Sequence, residues 1–122
     1  MDGGIDLYLS KLFPKIQLSV QTGIKRYNIR LENSGMFMLP IGSAIIVPIE
    51  KCICKTSIKY LISAPTMETP QKIDGTENIY YAFFAILKLC NYFKNKTIAI
   101  PGLGTLTGGI SPEECAYLFL IN

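Results

Sequence analysis

Histidine and tryptophan do not occur in the 122 residues, and charge is scarce, with only 9 Asp plus Glu. Without histidine the chain has neither the commonest general base near neutral pH nor any imidazole-ligated metal site. The 17% charged content, set against 49% hydrophobic, excludes a disordered chain, which needs the opposite balance. Twelve Lys plus Arg leave a formal net charge of +3, too mild without a clustered basic face to point to nucleic acid. No apolar run reaches the ~20 residues of a membrane span; the longest, Ile79 to Cys90, is interrupted by Lys88 and suits a core helix. No signal pattern is visible around Met1-Asp2-Gly3-Gly4.

Cysteine is sparse and poorly spaced for zinc. One residue separates Cys52 from Cys54, whereas zinc pairs usually have two or more between them. Cys90 and Cys115 fall singly in apolar stretches, where a free thiol packs as a small hydrophobe. These features predict no metal site and no cofactor, and a reducing, cytoplasmic or otherwise intracellular setting. Length is compatible with a single domain over residues 1–122, able to bury one core.

What is present is periodic. Ile5, Tyr8, Leu9 and Leu12 recur at helical spacing, and Pro14 is well placed to begin a second helix lined by Ile16, Val20 and Ile24. Gly23 weakens the end of that helix, and residues 26–39 read as a loop. Three short apolar runs follow the strand pattern: Ser43 to Val47, Tyr60 to Ser63 and Thr97 to Ile100. Their apolar character on both faces suggests a covered parallel sheet. The strongest helix runs from about Thr76 to Phe93 and starts at Asp74-Gly75-Thr76, so that strand, helix and strand form a right-handed crossover. Tyr80, Tyr81, Phe83 and Phe84 cannot share one side of that helix, and both of its faces are expected to be covered. Ser111, Pro112 and Glu114 form a capping box for a last helix.

The chemically suggestive stretch is Ile100-Pro101-Gly102-Leu103-Gly104-Thr105-Leu106-Thr107-Gly108-Gly109-Ile110-Ser111. Glycines allow positive φ and close approach of backbone to a ligand. Successive N–H groups in such a loop make a nest for an anion, reinforced by a helix N-terminus, and phosphate or diphosphate is the natural guest. The stretch lacks the Gly-Lys-Ser/Thr ending of a triphosphatase loop and the trailing acidic residue of a dinucleotide fold. A tight glycine turn without a ligand accounts for the composition equally well.

Pro101-Gly102-Leu103-Gly104-Thr105 through Gly108-Gly109-Ile110-Ser111-Pro112-Glu113-Glu114 resembles the second ligand loop of macro domains, the ADP-ribose-binding modules, in a bacterial and viral subgroup. Leu39-Pro40-Ile41-Gly42-Ser43-Ala44, Tyr60 to Met67 and Thr76-Glu77-Asn78-Ile79-Tyr80 resemble other parts of that family, in order and at similar spacing. Asp2-Gly3-Gly4-Ile5-Asp6 is similar to the end of its first loop. The resemblance implies an α/β fold: a three-layer α/β/α sheet lacking the family's first strands. Members carry a run of strands before the glycine pair, with an aspartate for adenine and an asparagine near the distal ribose. Neither residue is found here, which implies an upstream start or an N-terminally shortened variant. A second copy pairing at an exposed sheet edge is a further option.

The resemblance implies a site in which Gly102, Leu103, Gly104, Thr105, Leu106, Thr107, Gly108 and Gly109 wrap a diphosphate. Asp2, Gly3 and Gly4 would lie opposite, and Ala64, Pro65 and Thr66 would form a wall at the strand end. The expected partner is ADP-ribose or an ADP-ribosylated protein. Two alternatives are an ADP-ribosyl hydrolase, with only Asp2 and Asp6 at hand, and a fold that has lost its ligand. No catalytic residue is assigned. Gly104→Val is expected to block the ligand while leaving the fold largely intact.

Overall fold

The computed structural model describes residues 4–49, 58–69, 71–94, 97–105 and 108–120. The chain divides into two compact units. One comprises Met1–Leu39 with Ile45–Ser63, the other Pro40–Ala44 with Ala64–Asn122.

In the first unit, helix α1 (Gly4–Leu12) is followed by α2 (Ile16–Arg26). Pro14 lies in the turn between them rather than at the head of α2, with the Ile16 amide donating to the Phe13 carbonyl at 2.9 Å. Ile16, Val20 and Ile24 are buried at four-residue intervals, one stripe of a 3.6-residue period. They join Phe13, Leu39, Ile45 and Val47 in a core. A β-carbon on Gly23 would stand 2.6 Å from Ile45 Cδ1, so this glycine lets the strand lie close against the helix.

That strand, β1 (Ile45–Pro48), pairs with β2 (Tyr60–Ser63), and the pairing is antiparallel, with Ile45 opposite Ser63 and Pro48 opposite Tyr60. The sequence-based expectation of a parallel sheet is corrected here. β-Branched residues favour a pleated backbone but carry no information on strand direction, which long-range pairing sets. Burial along β1 alternates, with Ile45 and Val47 inside, Ile46 half-buried and Pro48 exposed, as suits a strand covered on one face.

In the second unit, α3 (Asn78–Phe93) and α4 (Pro112–Leu120) pack together, and Phe83 stacks on Phe119 with ring centroids 4.1 Å apart. The core joins Ile73, Ile79, Ile110, Cys115 and Leu118, with Met67, Tyr80, Leu103 and Phe119 against it. Thr76 does not open α3. Its hydroxyl donates to the Ile73 carbonyl at 2.6 Å, making a turn ahead of the helix. The helix stops at Lys94, which adopts the left-handed conformation with φ of 54°.

Thr97 to Ile100 form no strand, a second correction. Thr97, Ile98 and Ala99 are exposed, and among the described residues no strand pairs with them. Apolar side chains alone do not make a strand where no neighbour takes up the backbone hydrogen bonds. Among the described residues the expected crossover and three-layer sheet therefore do not form; the strands are β1 and β2. Nor are both faces of α3 covered, since Tyr81 and Phe84 are about half exposed, at 47% and 51%.

Cys115 is buried and Cys90 half-buried, both as free thiols. Burial pushes the Cys90 thiol up, which disfavours its thiolate form. Cys52 and Cys54 lie outside the described residues. Among the described residues no helix is long and apolar enough to cross a membrane.

Candidate functional site

The glycine-rich stretch enters from Pro101 and returns through Ile110 to α4. Among the described residues, two backbone bonds close it. The Ile110 amide donates to the Gly104 carbonyl at 3.0 Å, and the Ile73 amide donates to the Gly108 carbonyl at 2.8 Å. The second bond runs the 71–73 segment beside the loop and buries Ile73 beneath it. Leu106 and Thr107 lie outside the described residues.

Packing explains part of the glycine content. Gly104 has φ of +69°, and a β-carbon there would stand 2.8 Å from Ile79 Cδ1 and 3.0 Å from Ile73 Cδ1. At Gly108 it would stand 2.6 Å from the Gly104 carbonyl oxygen. The expectation that Gly104→Val spares the fold is thus overturned: the position is closed from the core side and left-handed in backbone.

The loop also has unspent donors. Among the described residues, the amides of Leu103, Gly104, Thr105 and Gly109 donate to no internal acceptor. The Thr105 hydroxyl donates to the Gly102 carbonyl at 3.3 Å, on the exposed side of the loop. At the start of α4 the Ser111 hydroxyl accepts the Glu114 amide at 3.1 Å, the cap that its sequence foretold. Glu113 and Glu114 occupy the first turn, so their carboxylates offset the pull of the helix dipole on a bound anion. Any anion affinity here must come chiefly from the loop amides and nearby cations.

A hollow of about 290 Å³ opens beside the loop, lined by Gly102, Thr105, Pro112, Cys115, Ala116 and Phe119. Its walls are mainly apolar, and its size falls at the lower end of small-molecule sites.

Ala64, Pro65 and Thr66 follow β2 and are half-buried. Thr66 is held through its carbonyl, which accepts a hydrogen bond from Asn78 Nδ2 at 3.0 Å. The sequence marks Asn78 only as part of a helix start; its partner lies 12 residues back, and no local pattern marks such a bond. Met67 and Leu103 pack on the same core, so the 64–67 turn and the glycine loop belong to one unit. Gly4 opens α1 in the other unit, and Asp2 and Gly3 lie outside the described residues, as do the side chains of residues 5–7, Asp6 included. Among the described residues no three His, Cys, Asp or Glu side chains gather as a metal site would require.

The family model of the Macro domain matches residues 1–119, nearly the whole chain. The chain belongs to the macro domain family. As a macro domain it has an α/β fold, and macro domains in general bind ADP-ribose. An uncharacterized protein of Aquifex aeolicus is similar to this macro domain, 37% identical over 78 residues that make up 64% of this chain and 45% of that one. An uncharacterized protein of Aeropyrum pernix is 31% identical over 78 residues, 64% of this chain and 39% of its own. The chain thus spans less than half the length of these curated relatives. No solved structure matches it.

Proposed function

We propose that this macro domain binds ADP-ribose, free or attached to protein, and that residues 102–109 take the diphosphate on their main-chain amides. The observation that carries the reading is the set of amides at Leu103, Gly104, Thr105 and Gly109 with no acceptor among the described residues. Several unengaged amides on one short loop suit an oxyanion better than a neutral group, because charge-assisted hydrogen bonds are the stronger ones. The apolar hollow beside Gly102 and Thr105 offers room for a flat, weakly polar portion of the same ligand. Thr66, whose carbonyl accepts a hydrogen bond from Asn78, would form the wall at the strand end, and that bond lowers the cost of ordering it.

Calorimetric titration with ADP-ribose tests the reading. A saturable heat is expected, weaker with AMP, which has a single phosphate and no distal ribose. No heat at millimolar ADP-ribose overturns it.

A further inference from the structure

We propose that Lys72 is a phosphate-neutralising residue of the glycine loop. This role rests on the reading of the glycine loop as the anion-holding segment. Lys72 directly precedes Ile73, whose amide is bonded to the Gly108 carbonyl at 2.8 Å and whose side chain is 1% exposed. The backbone of Lys72 is therefore anchored beside the loop, and its side chain runs over Gly109. A β-carbon on Gly109 would stand 2.9 Å from Lys72 Cδ and 3.2 Å from its Nζ. With glycine at 109 the lysine stem lies against the main chain, and a side chain there would push it aside.

The charge is also available. Lys72 is exposed, and among the described residues no carboxylate pairs with it. Gly109, directly beneath, has φ of +71° and an amide that donates to no acceptor among the described residues. An ammonium near an N–H that has no acceptor among the described residues can supply two donors to one phosphate group. Since Glu113 and Glu114 offset the dipole of α4, a cation from outside that helix supplies the attraction the helix does not. A purely structural role, in which the aliphatic stem shields Gly109 from water, needs the methylenes but not the charge.

The experiment separates stem from charge. Lys72→Met keeps an unbranched apolar stem and removes the ammonium; Lys72→Arg keeps a cation. Binding of ADP-ribose and of inorganic pyrophosphate is measured for each protein at low and high salt. The Met variant is expected to bind both probes about fivefold more weakly, or less tightly still, with a flatter salt dependence. The Arg variant is expected to stay close to the parent. If the parent binds ADP-ribose and the Met variant matches it within twofold at both salt concentrations, the role of Lys72 is overturned while the loop assignment stands. If the parent binds pyrophosphate but not ADP-ribose, and Lys72→Met weakens it, Lys72 keeps its role and the ADP-ribose reading falls. Failure of the parent to bind either probe overturns both.

Discussion

Ile79 Cδ1 occupies the place that a β-carbon on Gly104 would need, 2.8 Å from where that carbon would stand. Ile79 is fully buried, at 0% exposure, so it has no free space into which to retreat. The loop proposed to hold a diphosphate is thus seated directly on the core of its own unit, and ligand geometry and fold stability share a residue.

Gly104→Ala should therefore destabilise the protein by about 2 kcal/mol or more, from left-handed strain plus overpacking. Ile79→Val removes the crowding Cδ1 and should by itself cost about 0.5–1.5 kcal/mol. Because the two changes meet at one contact, the double variant should lose less than the two single losses combined. Urea midpoints of the four proteins provide the test; strict additivity would show that Ile79 is not what excludes a side chain at 104.

Asn78 holds Thr66 through a single amide-to-carbonyl bond of 3.0 Å. Asn78→Ala should cost about 1 kcal/mol of stability. Asn78→Asp should cost more near neutral pH, because a carboxylate then faces a carbonyl oxygen with no proton between them. Lowering the pH to protonate that carboxyl should recover part of the loss. Chemical denaturation at pH 7 and pH 4, referenced to the parent at each pH, distinguishes this from a general effect on the helix start.

The Tyr81 hydroxyl donates to Glu77 Oε2 at 3.2 Å, one turn earlier on the surface of α3. That bond, and next the negative charge of Glu77, hold the Tyr81 hydroxyl above its ordinary value of 10.0. A raised value in the folded state means that the contribution to stability is full below about pH 10 and is lost as pH rises through the folded-state value. Glu77→Gln should return the Tyr81 titration toward 10.0. Carbon-13 shifts of labelled tyrosine rings followed from pH 8 to 12 would reveal this; an unchanged midpoint in the variant would show that the pair does not form in solution.

Much of the local structure could be read from residue order. The Ile16, Val20, Ile24 stripe, the Ser111 cap and the run from Ile79 onward each carry a short-range signal, because helical contacts fall three and four residues apart. The glycine cluster was visible as a site, but the grounds for its glycines were not. Gly104 and Gly108 are required by Ile73, Ile79 and each other's backbone, whereas composition alone suggested room for a ligand.

The amino-acid sequence by itself determined that these helices form, the Ile16, Val20, Ile24 stripe of α2, and that the chain is a macro domain. Those properties arise from neighbours within a few residues, or from a pattern spread along the whole chain. Tertiary structure alone decided that β1 and β2 run antiparallel, that Thr97 to Ile100 pair with no strand among the described residues, and that Lys72 comes to lie over Gly109. The reason is physical: strand direction and loop-to-loop contacts depend on groups far apart in the chain, and the free energy that selects among them comes from burying side chains such as Ile73 and Ile79, which no local pattern encodes.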